Sequence, residues 1–194
     1  MKQGKIRVAT CQFPVSRDID ANFRHIRRQM EYAASHQAQL VHFSECALSR
    51  YLGVDLKHEG ELCYERLRQR TQQLQQLSAQ LGLWTVLGST HQLSKRNKPH
   101  NSLYVIHPFG RIVDRYNKMF CAGDGQPRPT GDLAHYSPGE YFVTLRVNGV
   151  KLGLLICHEY RYPELYRQYK SQGVQLVLHS YHNGGAPREK KALH

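Results

Sequence analysis

The sequence predicts an α/β fold with helices packed on sheets, and three observations support it. Short apolar strands and amphipathic helical stretches alternate at least four times along 194 residues. Asn-Gly and Phe-Gly pairs set between apolar runs add hairpins. A hydrophobic content of 40%, of which aromatic residues form part, suits a packed core. Neither an internal repeat nor a composition break divides the chain, so residues 1–194 read as one domain.

"KIRVATCQF", residues 5–13, alternates apolar and polar side chains as a strand does. Asp18 or Asp20 then caps a helix whose apolar stripe is Ile19, Phe23, Ile26, Met30 and Ala33 or Ala34. "AQLVHF", residues 38–43, is the next strand, running into "SECALSRY". A second helix over residues 62–81 carries Leu67, Leu74, Leu77 and Leu81 on one stripe, and Gly82 stops it. "LWTVLGST", residues 83–90, follows as a strand. After the polar turn "SKRNKPHN", residues 102–118 read as a hairpin around Phe109-Gly110.

Residues 119–138, with the segment "GQPRPTG", predict a long loop, a feature often tied to function. "YFVTLRVNGVKLGLLIC" turns at Asn148-Gly149. Pro163 at a first helical position and Gly173 past the end frame "PELYRQYKSQ". "VQLVLHS", residues 174–180, is the final strand.

The net charge is +12, with basic clusters "RHIRR" and "RLRQR" inside helical patterns and "PREKK" near the end. Such a charge can favour nucleic acid. Solvated helix faces explain it better, because no aromatic RNA-binding motif or zinc-finger spacing accompanies it. No apolar run approaches the ~20 residues of a membrane helix, and the alternating N-terminal segment reads as a strand rather than a signal peptide. Five irregularly spaced cysteines without a C-x-x-C suggest no disulfide framework, and a reducing, cytoplasmic setting is expected. No histidine spacing points to a metal.

Three reactive residues sit at three strand ends: Glu45 after the strand ending at Phe43, Lys118 after "RIVDRYN", and Cys157 after "LGLLI". Strand ends of α/β sheets are where side chains meet in a crevice. Each residue alone has a plain structural explanation. Together they suit a nucleophilic thiol with Glu45 as its base and Lys118 stabilising a thiolate and then an oxyanion. The helix opening at Pro163 adds a positive dipole end. His158 is a rival base, but strand alternation is expected to turn it away from Cys157.

At this point the residues resemble the nitrilase superfamily, the carbon–nitrogen hydrolases. The resemblance rests on "RVATCQFPV", "VHFSECALSRY", the Y-x-K context of "DRYNKMF", and "ICHEYRYPELYR". The last closely follows Ile-Cys-x-(Asp/Glu)-x-Arg-(Phe/Tyr)-Pro-Glu. The match in order and motif covers essentially the whole chain.

The resemblance implies a four-layer α-β-β-α sandwich, association into homodimers or larger homo-oligomers through an outer helix face, and no cofactor. It also implies a catalytic triad: Glu45 as general base, Lys118 stabilising the tetrahedral intermediate and Cys157 as nucleophile, with the His158 N–H helping to hold the oxyanion. A small amide or carbamoyl compound and water are the implied substrates. Many members of that family carry a second glutamate in the long loop. Here "TGDLAHYSPGE" offers Asp132, one methylene shorter, as a binding residue, and His158 is a second binding candidate. Glu159 and Arg161 are expected to form an ion pair that fixes the turn. The chain stops at "GGAPREKKALH", where relatives continue, so the sandwich is expected to be C-terminally shortened and the domain incomplete. A catalytically inactive association module and, more remotely, a basic nucleic-acid binder are the alternatives to an amidase-type hydrolase.

Overall fold

The computed structural model describes residues 4–94 and 96–182. The basic tail "GGAPREKKALH" lies outside the described residues.

The first half builds one sheet and the helices that cover it. Strand β1 (Val8–Cys11) leads into helix α1 (Ile19–Ser35), then β2 (Leu40–Phe43), α2 (Tyr64–Leu81) and β3 (Trp84–His91). Of the two candidate caps, Asp18 serves: its carboxylate accepts the Asp20 N–H at 2.8 Å, satisfying a donor the first turn leaves open. Gly82 ends α2 in the left-handed conformation, φ +64°. β4 (His100–Ile106) and β5 (Ile112–Asn117) form the expected hairpin. The sheet order is β1-β2-β3-β4-β5, parallel through β3 and antiparallel beyond.

Strand alternation sorts the side chains of this sheet into two cores. Val41, Phe43, Leu87, Tyr104 and Ile106 pack under Ile26, Met30 and Leu74 of the two helices. Leu40, Val86, Leu103 and Val105 point the other way, toward the second sheet. That sheet is β6 (Thr144–Val147), β7 (Val150–Ile156) and β8 (Leu176–Ser180), covered by α4 (Pro163–Ser171) through Leu165 and Tyr169. Gly153 lets α4 approach, since a Cβ there would lie 2.7 Å from the Tyr169 ring. Helices, sheet, sheet and helix make the expected four-layer sandwich.

Two differences from the sequence reading have physical causes. Arg66 and Arg70 are not simply solvated, because both hold the Asp20 carboxylate, at 2.5 and 2.7 Å, and tie α2 to α1. Residues 119–138 are not wholly irregular: Gly131–His135 form a short helix, α3. Among the described residues no helix is long and apolar enough to cross a membrane.

Gly88 of β3 passes beneath the loop that follows β2. A Cβ there would strike the Ser44 carbonyl and approach the Cys46 nitrogen to 2.8 Å. Both obstacles are backbone, so Gly88→Ala should destabilise the fold by roughly 2–3 kcal/mol. A urea titration checks this, with a lowered midpoint expected.

Candidate active site

β2, β5 and β7 end at the same edge of the sandwich. Two hydrogen bonds pin the sheets together there: Ser180 Oγ of β8 donates to the Phe43 carbonyl (3.0 Å) and lies 2.7 Å from His42 Nε2. Because the hydroxyl gives its proton to Phe43, it accepts from His42. Burial and the nearby His179 push His42 down to about 4, so the ring is neutral.

Glu45, just past β2, is fully buried. Its Oε1 accepts from Lys118 Nζ at 3.0 Å and from Asn101 Nδ2 at 2.7 Å, and its Oε2 accepts the His182 N–H at 3.0 Å. Lys118, the residue after β5, is 1% exposed and also meets Asp132 Oδ2 at 2.7 Å. Burial works against the lysine's charge, but the Glu45 and Asp132 carboxylates outweigh it and raise its pKa. The ammonium is therefore permanent at any physiological pH.

Asp132 reaches the centre although it is a methylene short of the glutamate expected there. Helix α3 carries it inward, where it also accepts from Tyr51 Oη and from the Ala122 N–H at 3.0 Å. Burial raises its pKa; the charge and hydrogen bond of Lys118, with Tyr51 and Ala122, more than reverse this. The net shift is downward, so its contribution to stability is complete above the unfolded value of ~4 and disappears as pH falls through the lower folded value. Asp132→Asn should thus be less stable than the parent at pH 7, with the gap closing in acid. Urea midpoints measured across that range check the sign.

Cys157 follows β7 and opens a 3-10 turn, Cys157–Arg161, with φ +45°. This left-handed conformation is strained for a residue bearing a Cβ, and such strain gathers at functional positions. The half-buried thiol lies close enough to the Glu45 carboxylate and the Lys118 ammonium for both charges to act on it. Burial, then Glu45, push it up to about 12, with Lys118 offsetting only part.

The expectation of a stabilised thiolate is therefore corrected. Two carboxylates already share one ammonium, so a third negative charge is disfavoured and the resting sulfur keeps its proton. The α4 dipole does not change this, because α4 begins only at Pro163, after the 3-10 turn.

Two further expectations are revised. β7 ends at Ile156, so strand alternation does not govern His158; its ring instead packs edge-on to Tyr162, with Nε2 3.4 Å from the Tyr162 hydroxyl. Nor do Glu159 and Arg161 pair. Glu159 is fully buried and accepts from Tyr116 Oη, the Met119 and Phe120 N–H groups and the Ile156 N–H, while exposed Arg161 meets Tyr160. Glu159 thus ties the turn that Cys157 opens to the residues after Lys118. Among the described residues no three His, Cys, Asp or Glu side chains gather as a metal site requires.

The sequence reading missed Asn101, Tyr51 and His182. A buried asparagine inside the apolar strand "HNSLYVI" was a signal, since strands disfavour it. Tyr51 and His182, whose rings stack at 5.2 Å, gave none.

A family model described as carbon–nitrogen hydrolase matches residues 7–193. The chain belongs to the carbon–nitrogen hydrolase family. Similar members include an omega-amidase of Xenopus tropicalis, 26% identical over 177 residues, which span 90% of this chain and 63% of the relative. A nitrilase and fragile histidine triad fusion protein of Caenorhabditis elegans is 23% identical, covering 91% of this chain and 41% of its own. Among solved structures, an amidase from Nesterenkonia sp. superposes with a TM-score of 0.78 at 21% identity, covering 93% of this chain and 66% of that one. The carbon–nitrogen hydrolase chain described here thus spans just under two thirds of the length of the omega-amidase and the solved amidase.

Proposed function

We propose that the chain hydrolyses the carbon–nitrogen bond of a small carboxamide or carbamoyl compound through a thioester at Cys157. The observation that carries this reading is the half-buried Cys157 thiol set within reach of the charges of the buried Glu45–Lys118 ion pair, where three strands end. Because the resting thiol is protonated, its proton passes to Glu45 as sulfur attacks the carbonyl carbon. The negative charge then resides on the substrate oxygen, where Lys118 and the His158 N–H stabilise it. Collapse breaks the C–N bond, and Glu45 returns the proton to the departing ammonia or amine. Water, deprotonated by Glu45, attacks the thioester and releases a carboxylic acid and the thiol.

Asp132 and Asn101 keep Lys118 and Glu45 in place while this happens. In a glutamate mutant of the Nesterenkonia amidase the acetamide moiety of fluoroacetamide is covalently added at the active-site cysteine, and mutants lacking that cysteine hold butyramide or acrylamide. Those ligands support short amides as the class to try first.

Purified full chain should release ammonia from members of a panel of short primary amides and carbamoyl compounds. Absence of turnover across the panel, together with no acyl adduct on Cys157 by mass spectrometry, would exclude the reading. A homo-oligomer belongs to the same proposal, supported by Tyr160 and Tyr181, 52% and 45% exposed at the surface beside α4. Sedimentation velocity checks it, with a species heavier than 22.5 kDa expected.

A further inference from the structure

We propose that His179 is a positioning residue: by holding the Cys157 carbonyl it aims the His158 N–H at the substrate oxygen. The inference rests on the hydrolase reading above and adds a residue that the triad does not contain.

His179 lies on β8, and its Nε2 is 3.1 Å from the Cys157 carbonyl oxygen. A carbonyl only accepts, so Nε2 carries the proton. The other ring nitrogen, Nδ1, is 3.2 Å from the Tyr166 hydroxyl of α4. Burial lowers the His179 pKa, and the Lys118 charge adds to this against the opposing bond to Cys157. The ring is therefore neutral, and Tyr166 donates to Nδ1. Hydroxyl, imidazole and carbonyl form one directed chain running from α4 through β8 to the nucleophile's own peptide group.

That peptide group has a second end. In a planar trans peptide the C=O and the following N–H point in opposite directions. Fixing the Cys157 carbonyl against β8 therefore turns the His158 N–H the other way, and a bond to the carbonyl polarises that N–H. The 3-10 turn begins at Cys157, and the first N–H groups of such a turn lack an acceptor within it, which leaves the His158 N–H for a ligand. The peptide needs such an anchor because Cys157 sits in the strained left-handed region, from which the plane could relax by rotation. β8 and β7 are parallel neighbours whose last paired residues are Ile156 and Ser180, so the anchor stands on a hydrogen-bonded strand rather than a loop.

The test separates aiming the N–H from general damage. Alkylation of Cys157 by iodoacetamide develops no oxyanion, whereas acylation by an amide or by p-nitrophenyl acetate does. His179→Leu should lower kcat for amide turnover and the acylation rate by roughly ten- to a hundredfold, with KM and the alkylation rate nearly unchanged. His179→Gln, which keeps a side-chain N–H donor, should recover most of the loss. Imidazole nitrogen NMR of the parent protein should show the neutral tautomer protonated at Nε2. Full acylation in His179→Leu, an equal fall in alkylation, or a ring protonated only at Nδ1 would each overturn the proposal. A parent protein that neither acylates nor turns over amides would instead sink the hydrolase reading, and the tautomer measurement still decides the hydrogen bond.

Discussion

Lys118→Met is expected to lower folding stability by about 3–5 kcal/mol and to abolish amide turnover. The lysine is the shared counter-ion of two buried carboxylates, Glu45 at 3.0 Å and Asp132 at 2.7 Å. Methionine fills similar volume, so packing changes little and the loss reports charge. Without the ammonium both carboxyl groups face low dielectric beside each other, and at least one takes up a proton near neutral pH. The variant should therefore unfold at lower urea than the parent at pH 7 and recover part of the difference as the medium is acidified. Equal urea midpoints for parent and variant at pH 7 would show that the lysine does not hold the two carboxylates together.

Cys157→Gly is expected to abolish turnover, by at least about a thousandfold, yet leave stability equal or increased. Removing the sulfur deletes the proposed nucleophile. Removing the Cβ relieves a φ of +45°, a conformation that costs about 1 kcal/mol or more in a residue other than glycine. A gain in melting temperature alongside complete loss of ammonia release is thus the expected pair of results. A variant that keeps its turnover would remove Cys157 from the chemistry. A clear drop in melting temperature would mean that the turn stores no strain.

The two predictions share one electrostatic argument. Burial, together with the single net negative charge of Glu45, Asp132 and Lys118, keeps the thiol protonated, and the Glu45 carboxylate gives its proton a destination in the proposed reaction. In the proposed reaction, attack on a carbonyl places negative charge on an oxygen facing Lys118 and the His158 N–H while Glu45 takes up the thiol proton, so the net charge of the cluster stays the same.

Periodicity alone recovered most of the fold. The stripe Ile19, Phe23, Ile26 and Met30 could bury only as a helix, and the runs at β2, β3, β7 and β8 only as strands, because each repeat matches one backbone geometry. The positions of Glu45, Lys118 and Cys157 at strand ends were legible for the same reason. Residues 119–138 were harder: α3 is one turn long and carries no usable period, so the inward placement of Asp132 depended on contacts with Tyr51 and Lys118.

The amino-acid order by itself determined the alternation of strands and helices and placed Glu45, Lys118 and Cys157 at strand ends, since these follow from local spacing; the four layers were implied only by the resemblance of its motifs to a family. Tertiary structure alone decided which charges share which partners. It put Asp132 rather than solvent against Lys118, gave Glu159 to backbone N–H groups rather than to Arg161, and set His179 against the Cys157 carbonyl. Such pairings join residues many positions apart and depend on distance in a low-dielectric interior, a quantity that no pattern along the chain encodes.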